Sequence, residues 1–137
     1  MLPAPFDTLE DQSWSRLTYP KGDHAFRQGD ATHGVFIVVS GIVCLTRVTE
    51  SGNAVMVHNS QAGDMFAEAS LYSDFYHCDA ICLSPAEVIR VSKQAILKRQ
   101  RRDAAFSEAI TRRLAVQVQD YRLLLTLHAS KSANDRV

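Results

Sequence analysis

Four side chains able to hold a ligand or a metal fall close together in this chain: Glu68, His77, Cys78 and Asp79. They belong to the stretch Gly63–Ala80, which reads Gly-Asp-Met-Phe-Ala-Glu-Ala-Ser-Leu-Tyr-Ser-Asp-Phe-Tyr-His-Cys-Asp-Ala. A carboxylate accepts hydrogen bonds from hydroxyls or amides, and a thiolate beside an imidazole is a soft donor pair suited to iron. Adjacent residues of an extended segment point to opposite faces, however, so His77 and Cys78 do not readily reach one ion from one side. The plainer reading makes Cys78 a small buried residue and His77 a surface or hydrogen-bonded one. For Glu68 the plainer reading is a cap on local backbone amides.

Other chemistries find less support. His24, His33, His58, His77 and His128 are scattered, and no Gly-x-Ser-x-Gly or His-Glu-x-x-His motif occurs, so the chain does not read as an enzyme. Cys44, Cys78 and Cys82 are an odd number without Cys-x-x-Cys spacing, against both a disulfide framework and a four-cysteine metal site. Cys44 and Cys82 read as strand core, and Met56, Met65 and Tyr72 as packing. No metal and no certain cofactor is expected.

The 137 residues are 46% hydrophobic and 22% charged, ordinary for a soluble domain with a real core. No apolar run approaches the roughly 18 residues a membrane span needs, and Met1–Asp7 does not read as a secretory signal, which points to the cytoplasm. Lysine plus arginine equals aspartate plus glutamate at 15 each, so no global positive field draws the chain to nucleic acid. The basic knot Lys98, Arg99, Arg101 and Arg102 reads as a solvated helix face.

The stretch must be positioned by strands. Phe6–Arg16 reads as a short helical lead-in anchored by Leu9 and Trp14, and from Leu17 brief extended pieces alternate with turn residues. Gly34–Ser40 and Ile42–Val48 are β-branched runs separated by Gly41, Glu50–Asn53 marks a hairpin, and Ala54–Asn59 pairs back along it. Ala80–Leu83 and Glu87–Val91 give two more strands around Ser84-Pro85. Short strands with turns about every 8–12 residues predict an antiparallel barrel, sandwich or roll, mainly β with flanking helices.

Ser92 caps a predicted helix over Lys93–Arg99, and a longer helical period runs from Asp103 to about His128. Phe106, Ile110, Leu114, Val118, Tyr121, Leu124 and Leu125 recur at spacings of three and four. At about 1.5 Å per residue this helix is some 35–40 Å long and overhangs its own domain. A second copy packed as a coiled coil is the simplest cover for its stripe, so a homodimer through these residues is expected.

Gly22-Asp23, Phe26–Asp30, Val35–Val43, the Ser51-Gly52 hairpin, Gly63–Glu68 with Leu71-Tyr72, and the closing long helix together resemble the Crp/Fnr family of bacterial transcription regulators, in one collinear order over residues 17–137. The resemblance implies a cyclic-nucleotide-binding-type double-stranded β-roll sensor with flanking helices over residues 1–102 and a dimerisation helix over 103–129. It further implies that 130–137 open a winged helix-turn-helix DNA-binding domain, so that the chain is a truncated sensory and dimerising half. DNA would be read only through that absent part.

Cyclic-nucleotide members of the family carry a cassette of the type Phe-Gly-Glu-x-x-Leu followed by an arginine paired with serine or alanine. The resemblance places its ligand-contacting positions on Phe66, Ala67, Glu68, Ala69, Leu71, His77, Cys78 and Asp79. Glu68 matches the ribose-binding glutamate and Leu71 the buried leucine, whereas Ala67 stands at the glycine and the arginine position falls on or beside Cys78. No arginine occurs between Gly63 and Ile89. Losing a charge-assisted bond of about 1.5–3 kcal/mol, with Asp79 where the anion would sit, argues against cyclic AMP as the effector. An unknown small-molecule effector is the expected ligand. Three alternatives stay open: cyclic nucleotide binding despite the altered cassette, a ligand-free dimerisation module, and a haem or redox sensor through His77 and Cys78, a ligation site that the family's gas sensors permit.

Overall fold

A computed structural model describes residues 2–135, with side chains described through Ser130. Among these, eight strands form two four-stranded antiparallel sheets. They are β1 (Trp14–Tyr19), β2 (His24–Phe26), β3 (Gly34–Ser40), β4 (Val43–Val48), β5 (Ala54–Ser60), β6 (Met65–Phe66), β7 (Asp79–Cys82) and β8 (Ala86–Ser92). One sheet runs β1-β8-β3-β6 and the other β2-β7-β4-β5. This is the expected β-roll with helices after it.

The core sits on the facing sides of the two sheets. Phe36 and Val38 of β3 and Ala86 and Val88 of β8 cluster with Val43 and Leu45 of β4 and with Ala80 and Cys82 of β7. Strict alternation along each strand selects these residues for one face. The first five residues of β3 are all buried, because β8 and β6 flank this strand and both of its faces are covered. Phe36 stacks on Phe66 with ring centroids 4.9 Å apart, and Phe26 stacks on Tyr76 at 3.8 Å.

Gly41 explains how β3 and β4, adjacent in sequence, lie in different sheets. Its φ is +87°, and a Cβ there would stand 2.3 Å from the carbonyl oxygen of Pro85. Only glycine lets the chain cross at this point.

Three expectations are corrected. Phe6–Arg16 is not a helix: 3-10 turns at Phe6–Thr8 and Asp11–Ser13 lead directly into β1, whose first residue is Trp14. The register pairs Trp14 with Val91, so sheet pairing overrides the weak helical pattern. Tyr72 and Met56, read as packing, are 76% and 63% exposed, whereas Met65, Cys44 and Cys82 are core.

The chain divides into two compact units at Arg99 and Gln100. Helix α1 (Lys93–Arg102) starts on its predicted cap, the Ser92 hydroxyl accepting from the amide of Ala95 at 3.3 Å. In the second unit, α2 (Ala104–Asp135) begins with the Asp103 carboxylate accepting from the Phe106 amide at 3.1 Å. It runs unbroken through Ser130–Asp135, so those residues continue α2 rather than open a separate helix; residues 136 and 137 of the expected DNA-binding segment lie outside the described ones.

At about 100° per residue, Leu114, Val118, Tyr121 and Leu125 share a stripe of α2 about 60° wide. Val116, Leu123 and Leu127 form a second stripe on the opposite face, which the sequence reading overlooked. Val116, Val118, Leu123, Leu124, Leu125 and Leu127 are all at least 45% exposed. Phe106 and Ile110, expected at a dimer interface, are only 3% and 5% exposed in the single chain.

Candidate functional site

The Gly63–Ala80 stretch is held at both ends by backbone hydrogen bonds. At its start, the amide of Gly63 donates to Val38 O and the amide of Val38 donates to Asp64 O, while Asp64 Oδ2 caps the turn by accepting from the Gln61 amide at 2.9 Å. Met65 and Phe66 then pair with Ile37 and Phe36, which buries both.

Beyond Phe66 the backbone turns through Ala67 at φ 69° and ψ 7°, the left-handed region, and enters a single 3-10 turn at Glu68–Ser70. A Cβ in this region costs about 1–2 kcal/mol, and glycine avoids that cost. The position where the resemblance expects glycine therefore keeps glycine's backbone geometry with an alanine side chain. Ala67→Gly is expected to stabilise the fold by about 0.5–1 kcal/mol, after glycine's greater unfolded-state entropy is allowed for. A denaturant midpoint measured on both proteins checks this.

The second half of the stretch is clasped to residues 29–32. The amide of Tyr76 donates to Asp30 O, the amide of Gly29 to Tyr76 O, and the amide of Thr32 to Asp74 O. The Thr32 hydroxyl and Lys93 Nζ both donate to Ser73 O at 2.7 Å. Tyr76 reaches inward, its hydroxyl accepting from the amides of His33 at 3.0 Å and Gly34 at 3.3 Å. Sequence reasoning missed these anchors, because Tyr76 and Lys93 gain their partners only through chain-distant pairing.

The expected ligand residues separate into groups. Phe66 and Leu71 are core, Ala67 is buried and Ala69 is exposed. Glu68 is half-buried, with its Oε2 atom inaccessible to solvent. Cys78 is half-buried and packs against the roll's core. Burial pushes its thiol above the ordinary cysteine range, the Asp79 carboxylate adds to this, Arg47 pulls the other way, and Glu68 raises it again. Cys78 is thus held as a protonated thiol with Arg47 and Glu68 both within electrostatic reach.

Asp79 opens β7, where Ala80 and Cys82 belong to the core cluster, and its Oδ1 accepts from the backbone amide of Gln28 at 2.6 Å. Gln28 in turn accepts from the Val48 amide through Oε1. Asp79 is therefore a clip between loop and sheet.

His77 is exposed, and its Nε2 lies 3.2 Å from the Ser73 hydroxyl. His77 is exposed whereas Cys78 packs against the core, and a thiol held protonated is a weak iron ligand. Among the described residues no group of three or more His, Cys, Asp or Glu side chains could hold a metal ion.

The profile of the cyclic nucleotide-binding domain matches residues 16–103, most of the chain. The chain belongs to the cyclic nucleotide-binding domain family. Like the Crp/Fnr regulators to which it is homologous, this domain combines the β-roll with a long following helix. It is 26% identical over 125 residues to a cyclic AMP receptor protein of Thermus thermophilus, an alignment covering 90% of this chain and 58% of that one. The chain thus spans little more than half the length of this relative. In fold it is similar to the sensor domain of the transcriptional regulator DNR from Pseudomonas aeruginosa, with a TM-score of 0.70 at 24% identity, covering 80% of this chain and 75% of that one. It is also similar to the c-di-GMP-responsive global regulator CLP of Xanthomonas campestris, with a TM-score of 0.74 at 20% identity over 87% of this chain and 59% of that one. Among the described residues no helix of this cyclic nucleotide-binding domain is long and apolar enough to cross a membrane.

Proposed function

We propose that this cyclic nucleotide-binding domain is the effector-sensing and dimerising part of a Crp/Fnr-type transcription regulator whose effector is not cyclic AMP. The observation that carries the reading is Cys78. It occupies the cassette's arginine position as a half-buried, protonated thiol, and a thiol offers a phosphate neither charge nor a fork of donors. Glu68 and the left-handed turn at Ala67 persist in the cassette, while the residue at its anion anchor is replaced.

Dimerisation rests on α2, whose stripe of Leu114, Val118, Tyr121 and Leu125 has the spacing of a coiled-coil seam, flanked by Leu124. The mechanism is a population shift: an effector beside Glu68 changes the stretch Gly63–Ala80, and the dimer helix transmits the change to DNA-reading parts beyond this chain. On this reading the domain acts in the cytoplasm as a regulator rather than an enzyme. Calorimetric titration with cyclic AMP and cyclic GMP tests the effector reading. Neither is expected to saturate the domain at micromolar concentration, and tight binding of cyclic AMP would overturn it.

A further inference from the structure

The absent cassette arginine leaves a question that the strand register answers. β4 and β7 pair as Val43 with Cys82, Cys44 with Ile81, Leu45 with Ala80 and Thr46 with Asp79. Val43, Leu45, Ala80 and Cys82 all belong to the roll's interior cluster, so one face of this strand pair looks inward. Within β4 the same alternation carries this face on from Leu45 to Arg47, and Cys78, the residue just before the last pair of the ladder, packs against the same interior cluster, which puts Arg47 and Cys78 side by side at the end of that ladder. The offset in register with β5 falls between Leu45 and Thr46 on the other side of β4 and leaves the β4–β7 ladder continuous.

We propose that Arg47, carried by β4, is the cation that anchors a phosphate-bearing ligand in this domain, in place of the β7 position that Cys78 occupies. This rests on the reading of Gly63–Ala80 as an effector site.

Three observations support it. Arg47 lies beside the end of the β4–β7 ladder that Cys78 adjoins, and its charge acts on the Cys78 thiol along with those of Asp79 and Glu68. Arg47 is exposed, and among the described residues no carboxylate is ion-paired with it, so its guanidinium is available. Asp79, the nearest acid in sequence to Cys78, already has Oδ1 engaged by the Gln28 amide rather than by Arg47. A guanidinium presents paired donors that match phosphate oxygens, and Glu68 across from it accepts from a hydroxyl. The ligand class is therefore a hydroxyl-bearing phosphate compound. Neighbouring strands lie about 4.8 Å apart, so its phosphate is displaced by about that distance toward β4 compared with an anion held from position 78. That displacement is the geometric reason why cyclic AMP fits poorly.

The test is an amide-resolved NMR titration of the 137-residue chain with inorganic phosphate and, separately, with cyclic AMP, repeated on Arg47→Ala, Arg47→Lys and Cys78→Arg, with circular dichroism confirming that each variant folds. Inorganic phosphate is expected to shift the amides around Arg47 and Cys78 at millimolar concentration. Arg47→Ala should weaken that response at least tenfold and Arg47→Lys should restore part of it. A phosphate response that survives Arg47→Ala, or that lies away from these residues, overturns the proposal. Tight cyclic AMP binding lost in Arg47→Ala would keep Arg47 as the anchor but overturn the exclusion of cyclic AMP. Cyclic AMP binding gained in Cys78→Arg, with wild-type phosphate binding indifferent to Arg47, would keep the effector site and remove Arg47 from it. No response in any variant would remove both.

Discussion

Leu125→Glu is expected to convert a dimer into a monomer in sedimentation equilibrium while leaving the circular dichroism of the roll unchanged. Leu125 is 69% exposed in the single chain, so the substitution removes no intrachain packing. In a two-stranded seam each dimer loses two buried leucines, at about 1.5–3 kcal/mol apiece, which together weaken association by about 10²–10⁴-fold. Burying two like charges adds to the loss. An unchanged sedimenting mass would show that the Leu114, Val118, Tyr121 and Leu125 stripe is not the seam.

Cys78→Arg is expected to raise the affinity for cyclic AMP by about 10- to 100-fold over wild type in calorimetric titration. The substitution returns a charge-assisted phosphate contact of about 1.5–3 kcal/mol, and each 1.4 kcal/mol is a factor of ten. Cys78 already lies on the inner face with Glu68 in electrostatic reach, so the new guanidinium has somewhere to act. Combining it with Ala67→Gly should add little affinity, because the backbone at Ala67 already has the left-handed conformation. A variant that folds and still ignores cyclic AMP would mean that the pocket wall, and not only its anchor, has changed.

Much of the fold was legible because local signals and tertiary demands agree. The β3 run is β-branched and aromatic from Val35 to Val39, and it is a central strand whose first five residues are buried. Ser92 was readable as a cap from its place before a helical period, and its hydroxyl does cap α1. Trp14–Arg16 failed as a helix because its strand character comes from pairing with β8, roughly 75 residues away. In the candidate site, the missing arginine could be seen in the sequence, but the conformation of Ala67 could not, since alanine seldom adopts a positive φ. Arg47, proposed as the anchor, did not stand out because charge was counted without strand face, although its spacing of two from Leu45 and four from Val43 was the signal that points to it.

The two opposite stripes of α2 set a rule of stoichiometry. A partner helix laid along the Leu114 side leaves Val116, Leu123 and Leu127 facing outward on both members of the pair. In the proposed dimer the second stripe on each member is expected to draw dimers together as concentration rises, so the sedimenting mass that tests the seam is the one measured at low concentration.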